Sequence, residues 1–279
     1  MRPVARLSLM ASARGASLTG CLIQQKLLIP AETIMNRRHL LIGSAFGVAA
    51  AALPKVVGRS ARAAGGTDLN LQKSLQACTP KDSVTHLMEG NARFARAWTS
   101  AGGSADKAER MAILNDIWES DCQLDPVALA QGQKPYAAIL SCADSRVDPG
   151  WIFACGSGEL FQVRSAGNTA FDDGIASLEY AVAVLGTPLV LVMGHSGCGA
   201  VTAAMGSEPL TPLLEGLVKP IRASLRSGDS LTQAIQGNVG YAAGQLTSRS
   251  TVLKDAVAAG QLSIRNVYFD IGSGKVSLL

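Results

Sequence analysis

The stretch Pro188-Leu189-Val190-Leu191-Val192-Met193-Gly194-His195-Ser196-Gly197-Cys198-Gly199 decides the fold. Its first half is a continuous apolar run, the pattern of a strand buried on both faces. Its second half carries one histidine and one cysteine among three glycines, which let the backbone turn tightly. From Ala200 the pattern is helical. A buried strand, a glycine-rich turn and a helix in direct succession are what an α/β protein is built from.

The same unit recurs on both sides. Tyr136-Ala137-Ala138-Ile139-Leu140 is a second short apolar run, and it leads into Ser141-Cys142-Ala143-Asp144-Ser145-Arg146. Residues 160–163 read as another strand. Between them and the long strand, residues 174–185 set Ile175, Leu178, Val182 and Leu185 at helical spacing. Upstream, residues 71–99 read as one helix anchored by Leu71, Leu75, Val84, Leu87, Met88 and Phe94, and residues 105–124 contain a second. Downstream, helices are expected over 212–225 and 231–260, and a strand over 266–271. Gly272-Ser273-Gly274 then turns the chain into residues 275–279 as a hairpin partner. The expected fold class is α/β, a mostly parallel central sheet flanked by helices, with a C-terminal antiparallel edge strand. Sites in such sheets form beyond the carboxyl ends of the strands, where both Cys-containing motifs fall.

The chain has 279 residues, 48% of them hydrophobic, enough for one well-buried domain of about 200 residues. Its formal charge of +4 is misleading. Residues 1–63 hold nine of the 25 basic residues and one of the 21 acids, which leaves 16 basic against 20 acidic residues, a net −4, in the remainder. No basic patch with interleaved aromatics stands out, which argues against nucleic-acid binding.

Met35-Asn36-Arg37-Arg38-His39-Leu40-Leu41 sets paired arginines before an apolar run over 40–53 that is too short to span a bilayer comfortably. Ala61-Arg62-Ala63 adds a small-x-small pattern. This is the layout of a secretory signal peptide, and the arginine pair points to the twin-arginine route. An uncleaved anchor is the competing reading. A true start at Met35 would account for residues 1–34. The expected organisation is a leader over 1–63 and one catalytic domain over 64–279, exported to the periplasm or another extracytoplasmic space, with no stable membrane association after cleavage. Export in the folded state would let a metal be loaded before the thiols meet an oxidising compartment.

Cys142, His195 and Cys198 supply two thiolates and an imidazole, a ligand set suited to Zn²⁺. Three protein ligands leave one position for water, the mark of a catalytic zinc. Either motif alone is weak, since a buried cysteine is more often a small hydrophobe. Of three histidines, His39 lies in the leader and His86 on a helix as an ordinary residue, so His195 is the candidate. Asp144 stands two residues from Arg146. Its carboxylate could accept a proton, bind the metal, or pair with the guanidinium, which would hold it ionised. A merely structural ion pair is the alternative. Cys78, Cys122 and Cys155 lack Cys-x-x-Cys spacing, which argues against redox chemistry, while a Cys78–Cys122 disulfide after export is left open.

With these residues in view, the chain resembles the β-carbonic anhydrase family. The resemblance rests on Cys142-Ala143-Asp144-Ser145-Arg146-Val147, Val163-Arg164-Ser165-Ala166-Gly167-Asn168, Ser177-Leu178-Glu179-Tyr180-Ala181, and Gly194-His195-Ser196-Gly197-Cys198-Gly199-Ala200-Val201. Weaker matches are Glu89-Gly90-Asn91-Ala92-Arg93-Phe94, Tyr268-Phe269-Asp270-Ile271 and Gly274-Lys275-Val276, so nearly all of residues 70–279 is covered in order. The resemblance implies one zinc per chain, held by Cys142, His195 and Cys198. It implies two states for Asp144: paired with Arg146 while water takes the fourth position, or itself on the zinc with activity blocked. It also implies an N-terminal helical arm wrapped over a partner and a homodimer or larger homo-oligomer. One departure concerns Phe153-Ala154-Cys155-Gly156-Ser157-Gly158-Glu159, where many relatives carry a glutamine thought to bond the substrate. Cys155 stands near that place, which implies weaker substrate orientation or a different small substrate; a third thiol near the metal is the lesser alternative.

The expected activity is reversible hydration of CO2 to bicarbonate and a proton, assisted by the Asp144–Arg146 dyad. The rival readings are a zinc hydrolase of CS2 or COS on the same scaffold, and a non-catalytic zinc- or bicarbonate-binding protein.

Overall fold

The computed structural model describes residues 69–118 and 122–279; the leader expected over 1–63 lies outside the described residues. Five strands, β1 (Ala137–Cys142), β2 (Leu160–Ser165), β3 (Leu189–His195), β4 (Ser263–Asp270) and β5 (Lys275–Leu278), form one sheet among the described residues, in the order β2-β1-β3-β4-β5. The first four are parallel, and β5 runs antiparallel to β4 at the edge. The expected fold class holds.

Every residue of β1 and β3 is buried. Alternate side chains serve opposite faces, as the pleat requires. Ala137, Ile139, Leu191 and Met193 join one core with Leu87, Phe94, Ile152 and Phe153. Ala138, Leu140, Val190 and Val192 join the other with Leu178, Val239, Leu246 and Leu253. Each fully buried side chain of this size contributes about 1.5–3 kcal/mol, which makes the two central strands the most strongly held part of the fold.

Helices cover both faces: α1 (Leu69–Leu75), α2 (Ser83–Gly102), α3 (Lys107–Asn115), α4 (Pro126–Leu129), α5 (Pro149–Ile152), α6 (Asp172–Ala183), α7 (Gly199–Met205), α8 (Pro212–Arg222), α9 (Leu231–Arg249) and α10 (Thr251–Ala258). Two expected helices are each split. Residues 71–99 break because Pro80 lacks an amide donor and Asp82 caps a new start, its side chain accepting from the Thr85 amide. Residues 231–260 break at Ser250, whose extended backbone ends α9 and whose hydroxyl caps α10 at the Leu253 amide. Ser250 is buried, and its hydroxyl also donates to Glu179 Oε1 at 2.6 Å. No helix among the described residues is long and apolar enough to cross a membrane.

The chain leaves β1 to one side to make β2, then crosses to the other side of β1 to make β3. The switch point therefore lies between the carboxyl ends of β1 and β3, where this architecture opens a crevice. Cys142 is the last residue of β1 and His195 the last of β3.

Candidate metal centre

β1 delivers Cys142 and β3 delivers His195 to one place. Gly197, in the left-handed region at φ 64°, turns the chain so that Cys198 becomes the N-cap of α7. Ligand atoms of Cys142, His195 and Cys198 all lie within 4.8 Å of one another, and all three residues are buried. The two sulfurs are 4.0 Å apart. Two thiolates bound at about 2.3 Å to one tetrahedral ion would stand a little under 4 Å apart, so the pair fits zinc.

His195 Nδ1 lies 3.0 Å from the Ser196 carbonyl oxygen. Since that oxygen can only accept, the proton sits on Nδ1, and Nε2 presents its lone pair. Nε2 is fully buried with no hydrogen-bond partner. A buried ring nitrogen left unsatisfied carries a desolvation penalty, and a metal ion removes it.

The sulfurs share their protons unequally. The Cys198 thiol donating to it holds Cys142 well below the usual thiol range, with further help from the Gly167 amide. That same bond, with burial, pushes Cys198 up. Negative sulfur, the form that ligates, is thus favoured at Cys142.

Asp144 lies beside the cluster, Oδ2 at 3.9 Å from His195 Nε2. Arg146 holds it in a fork, Nε to Oδ1 at 2.9 Å and Nη2 to Oδ2 at 2.7 Å, while the Arg146 amide also donates to Oδ1 at 2.9 Å. These bonds hold the Asp144 carboxyl well below the usual carboxylate range. Arg146 also reaches the Gly197 carbonyl at 3.3 Å, which links the two motifs directly. The guanidinium is about half exposed, so solvent screening limits what the pair adds to stability and its main effect is orientation.

The expected residues thus come together, and two further ones join them. Arg164 on β2 donates to the carbonyls of Cys142, Asp144 and Val147 at 3.0, 2.8 and 2.5 Å. The Gly167 amide donates to Cys142 Sγ at 3.2 Å. Both lie inside a quoted motif, but neither role follows from spacing. Cys155, for which a third thiol near the metal was only the lesser alternative, lies elsewhere. It packs in the core of the opposite face, its sulfur 3.1 Å from the Tyr136 hydroxyl, because the chain turns inward through Ala154 at φ 49°. His86 sits on α2 with its ring edge-on to Tyr136, away from the cluster. Cys78 and Cys122 form a disulfide.

A family model described as carbonic anhydrase matches residues 137–276, a span that includes Cys142, Asp144, Arg146, His195 and Cys198. The chain belongs to the β-carbonic anhydrase family. Carbonic anhydrase 2 of Mycobacterium tuberculosis is 37% identical over 159 residues, covering 54% of this chain and 77% of the relative. Beta carbonic anhydrase 3 of Arabidopsis thaliana is 30% identical over 173 residues, covering 54% and 67%. Among solved structures, the β-carbonic anhydrase CafA of Aspergillus fumigatus aligns with a TM-score of 0.51 at 28% identity, covering 55% of this chain and 79% of that one. A tetrameric β-carbonic anhydrase of Sordaria macrospora aligns with a TM-score of 0.50 at 26% identity, covering 54% and 83%. The matched span reaches into all five strands of the sheet that carries the cluster.

Proposed function

We propose that this chain is a zinc-dependent carbonic anhydrase that interconverts CO2 and bicarbonate, with Cys142, His195 and Cys198 as zinc ligands. The observation that carries this reading is the buried, unpartnered Nε2 of His195 facing two thiols, with an ionised carboxylate held at 3.9 Å. Zinc held by Cys142, His195 and Cys198 would supply Lewis acidity that ionises water near neutral pH. Two thiolates lend the site more negative charge than imidazoles would and temper that acidity. Asp144 accepts a hydrogen bond from the attacking water at Oδ2 and fixes its direction. Arg146 keeps Asp144 ionised and aimed, and holds it off the ligand cluster. His86 lies too far off to move the proton onward, so the proton leaves to solvent or buffer.

The relatives' assembly, together with the chain's own exposed Phe171, Tyr180 and Val184 beside the β2 edge, supports a homo-oligomer. The Cys78–Cys122 disulfide supports the extracytoplasmic location read from the paired arginines of the leader, since such bonds persist in oxidising compartments.

Zinc analysis together with stopped-flow CO2 hydration tests the proposal. One zinc per chain and rapid hydration are expected. Zinc-loaded protein without hydration activity refutes it.

A further inference from the structure

Helix α9 presents Ala234, Ile235, Val239, Ala242 and Leu246 to the core, and among them sits Asn238, 1% exposed. A buried amide on an apolar helix face is costly unless its polar atoms are bonded. Its Nδ2 donates to the Gly167 carbonyl at 2.8 Å and to Asn168 Oδ1 at 3.4 Å. Gly167 and Asn168 are consecutive left-handed residues, at φ 76° and 47°. Glycine and asparagine are the residues that enter this region most readily, so the turn is locally favoured and Asn238 adds a fixed anchor to it. The Asn168 amide donates back to Ser165 O at 3.2 Å, so the turn is gripped on both sides. Both bonds hold the peptide plane between Gly167 and Asn168. The Gly167 N–H that donates to Cys142 Sγ belongs to the adjoining plane, so its direction is set from the Gly167 Cα that this anchored plane carries.

The approach of α9 is set by Gly194 on β3, where a Cβ would come within 2.6 Å of Val239 Cγ2 and 2.9 Å of Ile235 Cγ2. The residue before the ligand His195 thus seats the helix that carries Asn238.

We propose that Asn238 is a positioning residue for the metal centre, acting on Cys142 through the Gly167 turn. The inference rests on Cys142 being a metal ligand. A donor to a ligand sulfur stabilises its charge and fixes the direction of its lone pair, and outer partners of this kind govern metal affinity by about 10- to 100-fold.

The test compares wild type, Asn238→Ala and Cys142→Ser. Zinc affinity is measured by competition with a chromophoric chelator, and thiolate-to-cobalt charge transfer is recorded on the Co²⁺-loaded proteins. Asn238→Ala should bind zinc at least ~10-fold more weakly and shift the cobalt band. A variant that melts lower but keeps wild-type zinc affinity and an unchanged cobalt band overturns the proposal, because a purely structural role does just that. If Cys142→Ser weakens zinc and Asn238→Ala does not, the Asn238 assignment alone fails. If wild type takes up no zinc, or Cys142→Ser keeps full affinity, the metal reading itself fails. Should Asn238→Ala not fold, wild type loaded with ¹¹³Cd carries the test. The Gly167 amide proton should show scalar coupling to the ion, and the Asn238 side-chain amide signals should shift on loading. Absence of either overturns the proposal.

Discussion

Arg164 donates its Nε to the Cys142 carbonyl oxygen at 3.0 Å, across the β2–β1 pair. Its Nη2 takes the carbonyls of Asp144 and Val147 as well. One guanidinium therefore fixes the course of the whole loop that bears a ligand, the carboxylate and its arginine. Arg164→Lys keeps the charge but cannot reproduce the fork. The expected outcome is a folded protein that loses roughly 10- to 100-fold in kcat/KM, measured at saturating zinc. Wild-type kinetics in Arg164→Lys would show that the loop holds its shape unaided.

The β4–β5 turn gives a pH-dependent stability. Asp270 accepts from the Ser273 hydroxyl at 2.6 Å and the Ser273 amide at 3.0 Å, and these bonds hold its carboxyl below the usual range. A carboxyl depressed in the folded state contributes stability above its unfolded pKa, about 3.9, and loses it as pH falls through the folded value. Asp270→Ala should cost about 1 kcal/mol near neutral pH, or roughly 2–4 °C in Tm. Melts of both proteins from pH 7 down to pH 3 should show the gap closing below about pH 4. A gap that stays constant would mean that the turn does not depend on the ionised carboxylate.

Cys78 and Cys122 are separated by 44 residues and join the segment after α1 to the segment before α4. Closing a loop of that length restricts the unfolded chain by about 2–4 kcal/mol. The bond lies outside the metal cluster, so Cys78→Ser with Cys122→Ser should lower Tm by several degrees and leave kcat/KM unchanged. A large loss of activity in that double variant, assayed below its Tm, would tie the disulfide to the site.

The sheet and the clustering of Cys142, His195 and Cys198 were legible because their signals are local. Short unbroken apolar runs mark β1 and β3, and chemistry-bearing residues follow each at once. The parts that were not legible depend on distance. Ser250 is tolerated in a helix and interrupts no periodicity, and the break there is decided by its bond to Glu179, 71 residues away. Asn238 reads as one polar residue on an amphipathic helix, and its meaning comes from Gly167, also 71 residues away. The place of Cys155 was not legible, because it is set by the backbone turn at Ala154 that sends it into the other core. The Pro80–Asp82 break carried a local signal, a proline followed by a capping aspartate, that the run of apolar anchors outweighed.

On the proposed function, Asp144 decides how the site works. It stands close enough to the cluster to approach it, at 3.9 Å from His195 Nε2, yet Arg146 occupies both its oxygens. Removing the carboxylate leaves Cys142, His195 and Cys198 intact, so Asp144→Ala should retain one zinc per chain while kcat falls by about 10²-fold or more, the usual effect of losing a positioned proton acceptor. Arg146→Gln should behave differently. It frees the carboxylate, whose pKa then rises towards the ordinary value of about 3.9. The released Asp144 can turn towards the metal and compete with water for the fourth position. Zinc should therefore be held at least as tightly as in wild type while hydration is lost, and adding Asp144→Ala to Arg146→Gln should recover part of the accessible site. That recovery is read as binding of a small anionic inhibitor to the double variant but not to Arg146→Gln alone. If Arg146→Gln binds the anion as wild type does, the arginine is not what keeps Asp144 off the metal.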